Sequence, residues 1–444
     1  MPSVFAWRGV SACLIRCVVP AFCLLLAACA GTPAARPAAP PVATAAATAP
    51  DAAHAVIVVS IDALPASIPG SGAMPTLDAI AAQGVRAEWL TPSVPTLTFP
   101  NHYTLVTGLY PDHHGIVHNN MIDPELGTFV SKNAASADDG RWWGGEPIWA
   151  TLQKQGGIAA TMFWPGSNAE IAGQRPRYRR PFDKTVTPAA RIDQVLAWLD
   201  LPPGQRPQLL TVYFDQYDIA AHDAGAASPP AMAALQALDA ALARLRDGLR
   251  ARGVDAATDV IVVSDHGMAD VPQANVRYLD DVLPTSAYRL LSWGAWTGIA
   301  PAPGREAEVS QAFAGRHDHY ACWRKAELPA AWHIGTHRRI APIVCQADVG
   351  WRLQARSETP QRQPVKGEHG FAPEVPEMRA TFVAAGPSFR TGVVLPAFDN
   401  VDIYPLLAHL LHVRPAPNDG TLAPLQPALR DAVTSRGNGA GTPR

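Results

Sequence analysis

The chain has 444 residues, more than one hydrophobic core usually fills, so we expect a large domain that carries a smaller inserted or appended unit. Its 36 Lys and Arg residues nearly balance its 38 Asp and Glu residues, and the formal net charge is −2. This balance excludes a protein that recruits nucleic acid or an acidic membrane through its overall field, and we expect no nucleic-acid partner. Any charged ligand must be attracted locally.

The first residues have the features of an export signal. Arg8 and Arg16 precede a mostly apolar stretch at 18–28 that is too short to span a membrane comfortably. It leads into Leu-Ala-Ala-Cys29, which resembles the bacterial lipobox, and Ala30 favours sorting to the outer membrane. We expect a lipoprotein signal peptide at 1–28 and a lipid on Cys29 that anchors the protein to the membrane on the periplasmic side. The alternative is an ordinary signal peptide with a chance cysteine.

Composition divides the rest of the chain. Residues 29–53 begin with the lipidated cysteine. The rest of this stretch is rich in Ala, Pro and Thr and offers little to bury, so it is predicted to form a disordered tether. The main domain is predicted at 54–434, and an unstructured tail at 435–444. Within the main domain, 268–366 is rich in Trp, Pro and His and shows weak periodicity, which indicates an inserted subdomain.

Two of the six cysteines, Cys322 and Cys345, lie in the main domain. An even number in an oxidising compartment predicts one disulfide. Its closed loop of about two dozen residues would contribute roughly 3 kcal/mol in the loop-entropy model. Two free buried thiols are the alternative.

Short apolar runs alternate with helical patterns along the main domain. Runs bounded by polar residues are typical of strands buried on both faces, and the alternation predicts an α/β fold with a mostly parallel sheet and helices on both faces. Functional residues of such folds collect just past the carboxyl ends of the strands. The predicted strands are 55–61, 159–163, 209–214, 260–264 and 380–385, and the predicted helices are 75–83, 189–199 and 230–252.

Aspartates and histidines collect at these predicted strand ends. Three of each suit two clusters of three ligands, because Zn²⁺ accepts imidazole nitrogen and carboxylate oxygen, and a catalytic zinc keeps one position open. Two such ions about 4 Å apart can clamp the attacking and leaving oxygens of a phosphoryl transfer. Taken singly, each residue could instead be a helix cap, a surface pair or a structural histidine. The six candidates are Asp62, Asp218, His222, Asp265, His266 and His369.

Thr98 is the candidate nucleophile. It stands just before Pro100, where a helix is predicted to begin, so its hydroxyl would lie beside free N–H groups and the positive end of the helix dipole. Zinc coordination would lower the pKa of this hydroxyl. Asn101, one turn along, is expected to point its amide at the same phosphate. The alternative role of Thr98 is that of a helix N-cap.

Several motifs together resemble the nucleotide pyrophosphatase/phosphodiesterase family of the alkaline phosphatase superfamily. The match runs from about residue 56 to 411. It includes Thr-Phe-Pro-Asn-His at 98–102, Thr-Gly-Leu-Tyr-Pro at 107–111, Asn-Asn-Met at 119–121 and Ser-Asp-His-Gly-Met at 264–268. The resemblance implies an alkaline-phosphatase-like fold with a smaller inserted subdomain.

The resemblance also implies a two-zinc hydrolase that cleaves nucleotide phosphodiester and pyrophosphate bonds and releases nucleoside monophosphate. Thr98 would attack phosphorus, and a zinc-activated water would hydrolyse the covalent phosphothreonine intermediate. Two Zn²⁺ per chain are implied: Asp218, His222 and His369 would hold one, and Asp62, Asp265, His266 and Thr98 would hold the other.

The substrate pocket follows the family pattern less closely. Phe99 would flank a nucleobase, and Phe182 aligns with a stacking tyrosine of relatives, so that the ring face is kept without its hydroxyl. Leu97 replaces a lysine, which removes a local positive charge, and Ala221 replaces a glycine before a ligand histidine. The alternative for Phe182 is a residue that only fills a loop core.

Other functions compete with this prediction. A phosphate monoesterase on the same scaffold needs extra positive charge near the phosphate, which the Thr98 segment lacks. A diesterase for a lipid or phosphocholine-type substrate would share the same motifs. A sulfatase is disfavoured because no Cys-x-Pro-x-Arg precursor occurs. A non-catalytic, zinc-stabilised surface lipoprotein is disfavoured because the nucleophile and all six ligand candidates are intact.

Overall fold

The computed structural model describes residues 54–356 and 365–430. The predicted signal peptide, lipidated Cys29, tether and tail lie outside the described residues. Within the described ranges, no helix is both long enough and apolar enough to cross a membrane.

The strands follow the buried apolar runs of the sequence. In chain order they are β1 (Ala55–Ile61), β2 (Val85–Ala87), β3 (Leu90–Thr91), β4 (Asn120–Asp123), β5 (Gly127–Val130), β6 (Ala159–Met162), β7 (Tyr178–Arg180), β8 (Leu209–Phe214), β9 (Thr258–Val263), β10 (Ala269–Asp270), β11 (Val276–Tyr278), β12 (Tyr288–Leu290), β13 (Trp296–Pro301), β14 (Gly315–His317), β15 (Tyr320–Arg324), β16 (Ile343–Ala347), β17 (Arg352–Gln354), β18 (Gly367–Glu368), β19 (Phe382–Ala385), β20 (Val393–Leu395) and β21 (Phe398–Asp399).

Several helices begin at a proline or a capping side chain. Pro75 opens the first helix, and the side chains of Thr187 and Ser228 accept a backbone N–H at the starts of two later ones. The helices are α1 (Pro75–Gln83), α2 (Thr98–Thr107), α3 (Pro111–His114), α4 (Ala134–Ala137), α5 (Ile148–Lys154), α6 (Pro188–Leu199), α7 (Gln216–Ala224), α8 (Pro229–Ala251), α9 (Glu306–Phe313) and α10 (Ile403–Leu410).

An eight-stranded sheet in the order β20-β2-β19-β9-β1-β8-β6-β7 organises the main domain. Its strands run parallel except β19, which is antiparallel to both β9 and β2. All seven residues of β1 are buried, and they divide between two cores. Val56 and Val58 pack on the side of α2, α5 and α10, whereas Ile57 and Val59 pack on the side of α1, α6 and α8. The predicted α/β fold, with a mostly parallel sheet covered on both faces, is confirmed.

A smaller antiparallel sheet in the order β12-β13-β16-β15-β14 lies within the stretch where the insertion is predicted. It has its own hydrophobic core, which includes Val309 and Phe313 of α9. Cys322 and Cys345 face each other across β15 and β16 and form a disulfide, as predicted. The boundaries 268–366 stay a prediction.

Candidate active site and metal centre

The predicted ligands meet at one edge of the central sheet. Because β1, β8 and β9 run parallel, their carboxyl ends lie side by side. Asp62 follows β1, Asp265 and His266 follow β9, Asp218 and His222 lie on α7 directly after β8, and His369 follows β18.

One group of ligand atoms comes from Asp62, Asp265 and His266, and these atoms lie within 4.8 Å of one another. Nε2 of His266 lies 3.0 Å from Oδ2 of Asp265 and 3.6 Å from Oδ1 of Asp62. All three side chains are buried. Two carboxylates and one imidazole in this space form a donor set that suits a divalent metal ion.

A second group is centred on Asp218. Its Oδ1 lies 3.4 Å from Nε2 of His222 and 3.7 Å from Nε2 of His369. His266 belongs to this group too, since its ligand atom lies within 4.8 Å of those of Asp218 and His369. The rings of His266 and His369 stack with centroids 3.7 Å apart, so the two groups are contiguous. Such contiguity is what a pair of cooperating ions requires.

The three histidines are oriented alike by backbone carbonyls. Nδ1 of His222 lies 2.7 Å from the carbonyl oxygen of Gly367, and Nδ1 of His369 lies 2.9 Å from that of Thr96. Nδ1 of His266 lies 2.9 Å from its neighbouring carbonyl at Gly267. A carbonyl only accepts, so each Nδ1 carries a proton and each ring turns its Nε2 toward the carboxylates. Ligand histidines in metal sites are held in this way.

The carboxylates supply the test of whether a cation fits. Asp62 Oδ1, Asp218 Oδ1 and Asp265 Oδ2 are buried and accept no hydrogen bond in the described chain. These are the three oxygens that face the Nε2 atoms of the histidines. Electron-rich atoms that face one another without donors leave a polar deficit, which a bound cation would remove. The residues therefore fit metal ions.

Charge at this edge is poorly compensated by the protein alone. Burial raises the pKa of Asp62 well above its usual value, and repulsion from Asp265 and Asp218 adds to the shift. Burial also raises the pKa of Asp218 and lowers the pKa of His369 well below its usual value. Divalent ions would favour ionised carboxylates, which reverses the shifts of Asp62 and Asp218, and they would bind the neutral imidazole that the shift of His369 already favours.

Thr98 lies at the same edge, at the first position of α2. Its Oγ1 lies 3.4 Å from Nε2 of His266, which places the hydroxyl beside the first ligand group. The N-cap of α2 is Leu97, and no side chain caps the helix, so Thr98 does not take the capping role. Its hydroxyl is therefore left for another purpose.

Asn101 does not face this space, and the prediction that it contacts a phosphoryl group is wrong. Its side chain is fully buried, and its amide nitrogen donates to the carbonyls of Pro95 and Leu97. Its oxygen accepts from the N–H of Ser93 and from the amide of Asn400. With both donors and both acceptor positions occupied, Asn101 fixes the segment that precedes the nucleophile instead.

Asn119 is the amide that lies beside Thr98. Its Oδ1 accepts the backbone N–H of Phe99 at 2.8 Å, and its Nδ2 group forms no hydrogen bond to the described part of the chain. Asn119 is only partly buried, so this amide can donate to a ligand. The Asn-Asn-Met motif at 119–121 is the sequence signal that points to it.

Tyr213 and His102 are two further neighbours of the ligands that sequence reasoning missed. The Tyr213 hydroxyl donates to Oδ2 of Asp62 at 2.5 Å, which leaves the other oxygen of that carboxylate for a metal. Nδ1 of His102 lies 3.3 Å from Oδ2 of Asp265, and its Nε2 accepts from the Ser60 hydroxyl at 2.7 Å.

Phe182 and Phe99 occupy different surroundings. Phe182 is 50% exposed, and its ring centroid lies 6.2 Å from that of Tyr213, so it stands open beside the ligand groups. An exposed ring of this kind argues against the alternative of a loop-core residue. Phe99 is partly buried and contacts the rings of Phe129 and Trp143 at 6.0 and 6.1 Å. Their roles toward a nucleobase stay predictions.

Comparisons with known proteins identify the family of this chain. The family model for type I phosphodiesterase / nucleotide pyrophosphatase matches residues 56–372. An uncharacterised pyrophosphatase/phosphodiesterase of Schizosaccharomyces pombe is 36% identical over 402 residues, which cover 86% of this chain and 81% of that protein. Rat ectonucleotide pyrophosphatase/phosphodiesterase family member 3 is 33% identical over 80% of this chain, but this chain spans only 42% of its length.

Solved structures of related proteins share the fold of this chain. Murine ectonucleotide pyrophosphatase/phosphodiesterase 5, in an inactive threonine-to-alanine variant in complex with AMP, superposes with a TM-score of 0.80. It is 32% identical in sequence, and the match covers 85% of this chain and all of that chain. With the family model across most of the chain and a shared fold at this identity, the chain belongs to the type I phosphodiesterase / nucleotide pyrophosphatase family of enzymes.

Proposed function

We propose that the protein is a two-zinc hydrolase that cleaves nucleotide phosphodiester and pyrophosphate bonds, with Thr98 as nucleophile, and releases nucleoside monophosphate. The observation that carries the proposal is the Thr98 hydroxyl 3.4 Å from His266 Nε2, beside three buried carboxylate oxygens that lack donors. The murine neighbour is described as inactive when a threonine becomes alanine, and it binds AMP, which supports the same assignment here.

The metal ions are proposed to be zinc because the donor set mixes imidazole nitrogen with carboxylate oxygen. Asp62, Asp265 and His266 would hold one ion, and Asp218, His222 and His369 would hold the other. When bound, such ions lower the pKa of a coordinated hydroxyl or water and neutralise charge on the phosphoryl oxygens.

In the first step, the Thr98 oxygen attacks phosphorus and gives up its proton to solvent. The bond from phosphorus to the leaving oxygen breaks on the opposite side, and that oxygen departs with the bonding electron pair and takes up a proton from solvent if it is basic enough. A nucleotide diester then leaves the nucleoside phosphate esterified to Thr98, so the phosphothreonine intermediate still carries the nucleoside. In the second step, water attacks the same phosphorus, the bond to Thr98 breaks, and the threonine oxygen regains a proton. The product is nucleoside monophosphate.

Asn119 takes over the phosphate contact that the sequence suggested for Asn101. Its Oδ1 is held by the Phe99 N–H, which leaves Nδ2 to donate to a non-bridging phosphoryl oxygen. The Asp62 carboxylate is oriented by the Tyr213 hydroxyl, and the exposed face of Phe182 stacks on the base.

The nearest competing function is hydrolysis of phosphate monoesters. A monoester carries a second negative charge at phosphorus, which needs positive charge nearby. Leu97, which is buried, stands where relatives have a lysine, so this positive charge is missing beside Thr98. A diesterase for lipid or phosphocholine-type esters is the second alternative. The exposed ring of Phe182 offers a stacking face to a nucleobase, which is the reason for preferring a nucleotide.

A turnover assay with four substrates tests the proposal. A dinucleotide, a dinucleoside polyphosphate, a phosphocholine ester and a phosphate monoester would be compared by kcat/KM at equal metal loading. The proposal requires the two nucleotide substrates to lead by at least about tenfold, which corresponds to about 1.4 kcal/mol of transition-state binding. A leading monoester or phosphocholine ester would assign the site to that substrate.

The location in the cell is a separate part of the proposal. Lipidation at Cys29 would hold the enzyme at the periplasmic side of the outer membrane. Metabolic labelling with a fatty acid, compared between the native chain and Cys29→Ala, tests it, since the label must disappear from the variant.

A further inference from the structure

A strongly basic segment surrounds Phe182 at 175–184. Five of its ten residues are basic and one is acidic, although the chain as a whole carries a formal charge of −2. All five basic side chains are exposed. They are Arg175, Arg177, Arg179, Arg180 and Lys184.

Most of this charge has no carboxylate partner. Within the described chain, Arg179 and Lys184 form no ion pair, and Arg180 is held by two bonds from its guanidinium to the neutral Oε1 of Gln194. The single acid, Asp183, accepts instead from the backbone N–H and hydroxyl of Thr185. Only Arg175 faces a carboxylate, that of Glu170, at 3.6 Å.

Exposed arginines elsewhere in the described chain commonly do have such partners. Arg244 of α8 pairs with Asp193 of α6, and Arg252, just after α8, pairs with Asp200, just after α6. Arg356, which follows β17, pairs with Asp281. The segment 175–184 therefore stands out by its uncompensated charge, not by its arginine content alone.

The segment lies at the catalytic edge of the sheet. Strand β7 pairs in parallel with β6, and β6 with β8, so its carboxyl end at Arg180 points the same way as the strand ends that carry the metal-ligand candidates. Two residues later, the Phe182 ring lies 6.2 Å from the Tyr213 ring, whose hydroxyl bonds Asp62. Lys184 follows after two more residues, which span at most about 7 Å.

We infer that this segment is a subsite for substrates that carry phosphate groups in addition to the one at Thr98, such as dinucleoside polyphosphates. The inference rests on the proposed function and narrows its substrate class. Positive charge beside a cleft attracts a polyanion and raises its association rate, within a Debye length of about 10 Å at 0.1 M salt. Because the guanidinium of Arg180 is bonded to Gln194, its charge is held at the carboxyl end of β7.

A matched pair of substrates tests this. Diadenosine tetraphosphate carries several negative charges, whereas the p-nitrophenyl diester of thymidine 5′-phosphate carries one, and both present a nucleoside to Phe182. The variant Arg179→Gln/Lys184→Gln would be compared with the charge-matched control Arg289→Gln/Arg414→Gln, whose side chains are exposed and lie outside the segment. Binding of the two substrates to the same variants in a Thr98→Ala background would give their Kd values without turnover.

The variant in the basic segment should lower kcat/KM for the tetraphosphate about three- to tenfold at low salt, and this loss should vanish near 0.5 M salt. The aryl diester and the control variant should change less than about twofold. An equal loss on both substrates, or a loss that salt does not remove, would overturn the inference. An unchanged tetraphosphate kcat/KM would overturn it as well. If the basic-segment variant, in a Cys29→Ala background, also bound anionic phospholipid vesicles more weakly than Cys29→Ala alone, the basic segment would be assigned to a membrane. If the wild type hydrolyses neither the tetraphosphate nor the aryl diester, the proposed function itself fails.

Discussion

The Oγ1 atom of Thr98 lies 3.4 Å from Nε2 of His266, which in turn lies 3.0 Å from Oδ2 of Asp265. A helix start and a strand end thus bring a hydroxyl and two metal-ligand candidates into one small space. The hydroxyl caps no helix, and the carboxylate oxygen has no hydrogen-bond donor. Both features are explained if a cation joins them.

Removal of one ligand from each group should lower the bound zinc. In His369→Ala and Asp62→Ala, we expect fewer than two zinc ions per chain by elemental analysis and a loss of activity by orders of magnitude. His412→Ala, an exposed histidine far along the chain, is the control and should keep both ions. Full activity in a metal-free chain would refute the metal mechanism.

Asn119 and Asn101 should respond differently to the same substitution. Asn119→Ala should lower kcat/KM about 10²–10³-fold, as removal of an oxyanion donor does, with little change in melting temperature. Asn101→Ala should instead cost about 1–3 kcal/mol of unfolding free energy, because it strands buried groups that it bonds. Kinetics and thermal melts of both variants decide this, and the reverse pattern would restore the prediction for Asn101.

Phe182→Ala tests the base pocket. Since base stacking is worth about 1–3 kcal/mol, KM for nucleotide diesters should rise roughly ten- to hundredfold, while a small aryl diester that stacks poorly should change much less. Phe182 is 50% exposed, so the melting temperature should stay nearly unchanged. Phe182→Tyr keeps the ring and should keep KM. Equal losses on both substrates with a lower melting temperature would reduce Phe182 to a structural residue.

His114 predicts a pH dependence of stability that does not involve the metal site. Burial lowers its pKa to about 3, and its Nδ1 accepts the N–H of Ile116 while Nε2 faces the Thr104 hydroxyl. As the pH falls, the unfolded chain therefore binds a proton on His114 before the folded chain does. The contribution of neutral His114 to the free energy of unfolding is fully present above about pH 6.5 and is lost as pH falls toward 3, at up to about 1.4 kcal/mol per pH unit.

His114→Gln should accordingly flatten the slope of unfolding free energy against pH between about pH 4.5 and 6. Titrations that both chains share, including those of the metal ligands, cancel in the difference between the slopes. Denaturant unfolding at several pH values measures this, and identical slopes would show that folding does not change the pKa of His114.

Much of the fold was predictable because its strands are buried on both faces. Runs such as 55–61 and 209–214 are continuous apolar stretches, and the structure places β1 and β8 at the same bounds. The six ligand candidates were predictable for a related reason, since parallel strands bring their ends to one edge. The reversed direction of β19 was not predictable, because an apolar run reads the same in either direction.

The error at Asn101 has a different origin. One turn of helix separates Asn101 from Thr98, but Asn101 lies on the face of α2 that meets Ser93 and Asn400, and Asn400 is distant in sequence. Asn119 and Tyr213 reach the site through contacts across the fold, with Phe99 and Asp62. Local spacing carries no information about such contacts.

The central claim is that Thr98 forms a covalent bond to the substrate phosphorus. Zinc-loaded enzyme mixed with a nucleotide diester, quenched in acid within milliseconds and analysed by peptide mass spectrometry, should carry the nucleoside phosphate on the peptide that contains Thr98. Thr98→Ala should retain its zinc, show no adduct and lose turnover, while Thr98→Ser keeps a hydroxyl and should retain measurable activity. An adduct on another residue, or Thr98→Ala activity within about tenfold of the wild type, would contradict the account.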